Sequence, residues 1–217
     1  MTPIVISAPG HATVRLEAGE AVIVVDPGAL APDSAFTRVD AFLVTHDHED
    51  HVDVERLAGA LAATPGSRAW APSTVVDRLR AAGAAGEQVE AVDRDTRFEA
   101  AGVAVRAIAG THAAIHPAVP DLTNVAYLVA DRLLHPGDAF PAVPDAPALE
   151  VMFLPVSGPW MRFADAADYV AALHPGIVVP IHDGDLNDVG RTLTDQLSGL
   201  LGDVRYERLS DGRTLTV

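Results

Sequence analysis

The stretch Thr45-His46-Asp47-His48-Glu49-Asp50-His51 constrains this chain more than any other. Three imidazoles and three carboxylates fill the six positions from His46 to His51. They follow an apolar run, Ala41-Phe42-Leu43-Val44, which reads as a buried strand delivering a loop. Imidazole and carboxylate are the donors that borderline and hard divalent cations prefer. The expectation is a metal site at the C-terminal end of a strand. His46 and His48, two apart, can project to one side, with Asp50 and His51 facing a second position nearby. The alternative for the same residues is a solvated, charged turn.

A catalytic cation usually takes three protein ligands plus water, so the cluster needs donors from elsewhere. The chain has no cysteine, which leaves His, Asp and Glu. Of its nine histidines, six lie outside the cluster: His11, His112, His116, His135, His174 and His182. His112 follows the apolar stretch from Val105 to Ala109, and His182 follows Ile177-Val178-Val179-Pro180-Ile181. Asp138 lies just past Leu133-Leu134-His135. Ligands at several strand ends would converge on one edge of the sheets.

Alternation and turn residues predict strands over 3–7, 12–17, 21–25, 41–44 and 68–71, with helices over 53–63 and 73–82. A β-rich patch follows at 88–108, turning at Gly102, then strands at 124–130 and 132–134. The second half reads as a strand at 150–154, a helix at 163–173, a strand at 177–181, a helix at 188–201 and two short terminal strands. The Pro-rich stretch from Pro136 to Pro147 is expected to be an ordered loop. This order fits a mixed α/β fold with sheets inside and helices outside, as one domain over 1–217. Aromatics are only 5% of a chain that is 49% apolar, so the core should be aliphatic.

Thirty acidic against 15 basic residues, a net charge of −15, argue against nucleic acid as the main partner. A small phosphorylated substrate stays open. The N-terminus lacks a basic segment leading into a long apolar run, and no apolar run is long enough to cross a bilayer. A cytoplasmic protein acting on a small molecule, with no membrane partner, is the default expectation; oligomerisation is left open.

Taken together, His46 to His51, Gly110-Thr111-His112, Pro136-Gly137-Asp138 and Val179-Pro180-Ile181-His182 resemble the signature of the metallo-β-lactamase superfamily. That signature is His-x-His-x-Asp-His, then a distant His, a distant Asp and a final His. Gly10-His11-Ala12 and Val24-Val25-Asp26-Pro27-Gly28 resemble its opening strands and early Asp. Within the superfamily the chain is similar to small bacterial metal-dependent hydrolases, including the lactonase of ascorbate catabolism. The resemblance implies a four-layer αββα sandwich with its site at one edge between two sheets. It also implies His46, His48 and His112 on one cation, Asp50, His51 and His182 on a second, and Asp138 bridging both. Two divalent cations are expected, zinc first, with manganese or iron fitting the same nitrogen and oxygen donors. The chain is too short for the added nuclease domain of the RNA-processing members.

The remaining polar residues carry plainer expectations. Asp26 is expected to orient a ligand rather than bind a cation itself, and His11 and His135 to support the site from behind. His174 ends a helix and is expected to cap it, and Asp183 and Asp185 to form a turn or cap the next helix. Asp47 and Glu49 should face away. Trp160 and Met161 are expected to wall the substrate.

The expected chemistry is metal-assisted hydrolysis, with a hydroxide bridging two cations about 3.5–4 Å apart. Asp50 is expected to orient that hydroxide and pass on a proton, and His116 or His11 to donate to the oxyanion. A lactone or other carboxylic ester is the lead substrate and a small or lipid phosphodiester the alternative. A non-hydrolytic redox or sensor protein is the reading from another class; such members of the superfamily usually carry a flavin domain.

Overall fold

A computed structural model describes residues 2–217. In chain order the strands are β1 (Ile4–Gly10), β2 (Thr13–Ala18), β3 (Ala21–Val25), β4 (Ala41–Leu43), β5 (Arg68–Ala71), β6 (Val89–Ala91) and β7 (Thr96–Ala100). There follow β8 (Val103–Thr111), β9 (Thr123–Val129), β10 (Leu133–His135), β11 (Val151–Pro155), β12 (Ile177–Ile181), β13 (Arg205–Tyr206) and β14 (Leu215–Thr216). The α-helices are α1 (Val54–Ala63), α2 (Ser73–Ala81), α3 (Phe163–Leu173) and α4 (Asp188–Leu197). One sheet has the order β14-β1-β2-β3-β4-β5-β6 and the other β13-β12-β11-β10-β9-β8-β7.

The strands are apolar on both faces because both faces are covered. Successive side chains point to opposite sides of a strand. In β3, Ile23 and Val25 join the core between the sheets, and Val24 joins the layer under α1 and α2 with Leu57, Leu61, Val75 and Leu79. In β11, Val151 and Phe153 face the central core, and Met152 and Leu154 face α3 with Ala166 and Val170. Three apolar interfaces between four layers make the αββα sandwich expected above. Among the described residues no helix is long and apolar enough to cross a membrane.

Strand direction explains where the site must lie. β1 and β3 are both antiparallel to β2, and β4 is parallel to β3, so β1, β3 and β4 point the same way. In the second sheet β8 and β10 are both antiparallel to β9, and β11 and β12 run parallel to β10. The two sheets are tied together beside the histidine loop. Val125 N of β9 donates to Thr45 O at 2.8 Å, and the buried Tyr127 hydroxyl lies 3.0 Å from Val44 O and 3.2 Å from Trp70 O.

Most element boundaries move by one or two residues, as helix and strand ends commonly do. Two differences go further. The β-rich patch is divided between the sheets: β6 completes the first, while β7 and β8 begin the second with their hairpin at Ala101-Gly102. The helix expected over 188–201 is α-helical only to Leu197; Ser198–Leu201 tightens to a 3-10 turn before Gly202. Gly199 and Gly202 are poor helix formers, which favours that tightening. The loop from Pro136 to Pro147 is pinned by Arg106, whose guanidinium donates to Pro144 O at 2.7 Å, and by buried Val143.

Candidate metal centre

The edge where these strands end collects the donors. His46, His48, Asp50 and His51 come from the loop after β4, His112 from the end of β8, Asp138 from beyond β10, and His182 from the end of β12. One ligand atom from each of His46, His48, His112 and Asp138 lies within 4.8 Å of all the others in that group. Asp50, His51 and His182, with His11, form a second group of the same compactness. Asp138 touches both groups. Its Oδ2 is 3.4 Å from His112 Nε2 and 3.0 Å from His182 Nε2, and its Oδ1 is 3.2 Å from His51 Nε2.

A network behind the site sets which imidazole nitrogens are free. Asp26, fully buried, accepts from Thr45 N at 2.7 Å, from the Thr45 hydroxyl at 2.7 Å and from His51 Nδ1 at 2.7 Å. His51 therefore presents Nε2 to the site. The Thr45 hydroxyl has one proton and gives it to Asp26, so at 2.9 Å it accepts from His46 Nδ1, and His46 also presents Nε2. His112 Nδ1 donates to Ala113 O at 2.7 Å, which frees its Nε2 as well. Second partners of this kind fix the tautomer of metal-ligating histidines.

The donor set fits divalent cations on an observation of its own. Buried polar atoms almost always have hydrogen-bond partners. Among the described residues seven buried side-chain atoms have none, and five belong here: His51 Nε2, His112 Nε2, Asp138 Oδ1, His182 Nδ1 and His182 Nε2. The three Nε2 atoms and Asp138 Oδ1 sit beside opposite charges but off the line of a hydrogen bond. Nitrogen and oxygen donors in this mixture suit zinc, manganese or iron.

Burial holds the His46 imidazole well below the usual histidine range, with His51 adding to the effect, and burial and then His112 lower His48. Both are thus neutral, as a ligand must be. Burial alone would raise the Asp138 carboxyl, but facing His51, with His112 and His182 beside it, holds it well below the usual carboxylate range. Burial would likewise raise Asp50, yet His11 and His182 hold it far below that range. A carboxylate held so low is a ready ligand and a poor proton carrier near neutral pH. Burial would lower His182, but the carboxylates of Asp138 and Asp50 outweigh it and raise the group to about 9. His51 is also raised, against the pull of burial, by Asp138 and Asp26.

A pH dependence follows with a definite sign. Without metal, the folded His182 is raised above the ordinary value of about 6.5. The stability it contributes is fully present below that value and fades as pH rises through about 9. A cation taking Nε2 must displace this proton, so apparent Zn²⁺ affinity should climb with pH and level off near 9. Calorimetric titration at pH 7 in buffers of different ionisation enthalpy should register release of about two protons, from His51 and His182. Proton-neutral, pH-independent binding would contradict this assignment.

His11 lies closer to the site than a general supporting role suggested. Gly184 N donates to its Nδ1 at 3.0 Å, so Nε2 carries the proton, and at 2.9 Å it donates to Asp50 Oδ2. His11, Asp26 and His182 all hold left-handed backbones, at φ of 49°, 51° and 59°. Each costs on the order of 1 kcal/mol or more, strain of a kind that clusters at functional sites. His135 faces away: its Nε2 donates to Ala12 O at 2.9 Å and its Nδ1 accepts from Gly137 N at 3.3 Å. His174 caps α3 in a left-handed conformation, its N–H on Val170 O.

His116 stands apart from the cluster. It is exposed on the loop after His112, its Nδ1 accepting from Ala118 N at 3.1 Å, and it lines the same cavity as His48 and His112. Of the two roles expected for Asp183 and Asp185, the structure shows the turn, with Leu186 N donating to Asp183 O at 3.1 Å, and not the cap. Asn187 caps α4, its side chain accepting from Gly190 N at 2.9 Å. Asp183 pairs with Arg208 instead, and Asp185 accepts from the Ser157 hydroxyl at 2.9 Å. Asp47 pairs with Arg78, away from the site.

Two contacts escaped the sequence reading. Asn124 of β9 is buried; its Oδ1 accepts from Asp138 N at 3.0 Å and its Nδ2 donates to Pro136 O at 2.9 Å. Gly137 lets the two loops close: its φ is +65°, and a Cβ there would fall 2.2 Å from Asn124 Oδ1. A lone amide in the apolar run Thr123-Asn124-Val125-Ala126 was the available signal. Trp160, expected as a wall, donates its indole N–H to Asp138 Oδ2 at 2.8 Å.

Comparisons with known proteins place this arrangement among others. A family model described as a beta-lactamase superfamily domain matches residues 6–182, ending on His182. Protein Rv0786c of Mycobacterium tuberculosis is 38% identical over 179 residues, 80% of this chain and 81% of that protein. A UPF0173 metal-dependent hydrolase of Aeropyrum pernix is 29% identical over 197 residues, 81% of this chain and 80% of its own length. Among solved structures, Igni18, a metallo hydrolase from Ignicoccus hospitalis, superposes with a TM-score of 0.74 at 20% identity. The match covers 100% of this chain and 99% of that one.

Proposed function

The chain belongs to the metallo-β-lactamase superfamily as a metal-dependent hydrolase, and on that premise we propose that its substrate is a small, uncharged lactone or carboxylic ester. The observation that carries the substrate class is the lining of the cavity that opens on His48 and His112. It has a volume of ≈ 100 Å³ and is walled by Ala114, Ile115, Pro117, Val119 and Pro120, with His116 and Asp121 at its polar side. Among the described residues no Lys or Arg lines it. Bound cations can balance a phosphodiester's charge as well, so the lining favours the ester through what it adds beside them: an apolar wall and no cationic side chain to clamp the remaining phosphate oxygens.

His46, His48 and His112 would hold one cation, Asp50, His51 and His182 the other, with Asp138 between them. Zinc is the first candidate. When bound, such cations supply an activated water and polarise a substrate carbonyl. His11 keeps the Asp50 carboxylate aimed at the second position through its 2.9 Å bond. Because Ala118 N occupies His116 Nδ1, the Nε2 of His116 carries the proton and can donate to a substrate oxygen.

The test is a panel of lactones and aryl esters against bis-p-nitrophenyl phosphate, with Zn²⁺ or Mn²⁺ added. The expected result is a higher kcat/KM on the esters. Preference for the phosphodiester would overturn the substrate class. Protein that neither binds metal nor gains activity on its addition would overturn the hydrolase reading itself.

A further inference from the structure

We propose that Trp160 is a positioning residue of the metal centre, its indole N–H holding the Asp138 carboxylate in place between the two ligand groups. The proposal rests on the reading of these groups as a metal site and adds a residue outside the seven donors. Trp160 Nε1 lies 2.8 Å from Asp138 Oδ2. Among the described residues it is the one hydrogen-bond donor to that carboxylate. Oδ1 has no hydrogen-bond partner, and the three imidazoles around Asp138 meet it only as charges at 3.0 to 3.4 Å.

An indole is a donor with no acceptor. It cannot take a cation itself, and it favours the carboxylate form of its partner. Without it, only the charges of the three imidazoles at 3.0 to 3.4 Å act on the terminal torsion of Asp138, which is broad and roughly two-fold. Both oxygens face ligand nitrogens, so that rotation would disturb both groups at once.

The surrounding chain holds the indole rather than leaving it as a loose wall. Its ring meets Phe140 in a T-shape at 5.5 Å, and Phe140 packs against Tyr169 of α3 at 5.1 Å. Its other neighbours are His112 at 5.9 Å and His182 at 6.4 Å, both edge-on. Gly158 makes room from below. Its φ is +143°, and a Cβ there would fall 2.7 Å from Trp160 Nε1. The loop is fastened to the segment after His182 by the bond from Ser157 to Asp185.

The test reads metal affinity and the indole proton rather than turnover. The chain has two tryptophans, so ¹⁵N-labelled protein shows two indole signals, and Trp160→Phe assigns them. In metal-free protein the Trp160 signal should lie downfield and exchange slowly. Asp138→Asn, which keeps shape and removes charge, should move it upfield. Trp160→Phe keeps the ring and loses the donor. It should weaken Zn²⁺ binding about 10–100-fold against a competing chelator, the usual effect of removing such a partner, at an unchanged metal-free melting temperature. Gly158→Ala, which leaves every donor in place and displaces the indole, should weaken it in the same direction and carries the affinity test should Trp160→Phe not fold. Unchanged affinity, or an indole signal indifferent to Asp138→Asn, would overturn the proposal. Inactivity of the wild type on every ester would end the substrate reading and leave these readouts untouched.

Discussion

Replacing Asp138 by Ala is expected to empty both cation positions at once and to abolish hydrolysis. Its carboxylate meets both groups, through Oδ1 at His51 and Oδ2 at His112 and His182. Removing even an outer partner of a metal ligand typically costs about 10–100-fold in affinity, so loss of a donor shared by two positions should exceed about a hundred-fold at each. His48→Ala is a useful contrast, because His48 belongs to one group only. Metal analysis of the two variants should show near-zero content for Asp138→Ala and partial content for His48→Ala. Full activity in both variants would mean that the seven-donor scheme is wrong.

The second large effect belongs to a residue that touches no cation. Asp26→Ala should destabilise the fold by about 3–5 kcal/mol, the usual cost of removing one partner from a buried charged network. It would orphan Thr45 N, the Thr45 hydroxyl and His51 Nδ1 in a place where Asp26 has no solvent exposure. For a chain of this size that is a fall in Tm of roughly 6–20 °C. Asp26→Asn tolerates the left-handed backbone at φ 51° and isolates the hydrogen-bonding loss from the strain. Melts recorded in EDTA and again with Zn²⁺ separate the two consequences. Destabilisation should appear in both, and the stabilising increment from Zn²⁺ should shrink, since His51 and His46 lose their orientation. An unchanged melt in EDTA would contradict the role assigned to Asp26.

The seven candidate donors, which the fold brings to one edge, could be picked out because they stand at or just past the ends of apolar runs, and two-face burial makes such runs continuous. Their spacing along the chain mattered less than their places at strand ends, which the apolar runs before them suggested. What connects the donors was not legible. The path from Asp26 through Thr45 to His46 and His51 crosses between two loops, and the contact of His11 with Asp50 spans 39 positions. Hydrogen bonds of this range leave no periodic trace. Trp160 illustrates the limit: in a Gly/Pro loop an indole reads as an apolar body, and its N–H acquires meaning only once Asp138 is beside it. The division of the patch at 88–108 between two sheets was hidden for a similar reason, since an alternating strand looks the same in either.

The most direct test of the account is a crystal structure of zinc-loaded protein with anomalous data collected at the zinc edge. Two peaks are expected at the sheet edge, one among His46, His48 and His112 and the other among Asp50, His51 and His182, with Asp138 touching both. Peaks elsewhere on the chain, or no peak among these residues, would contradict it.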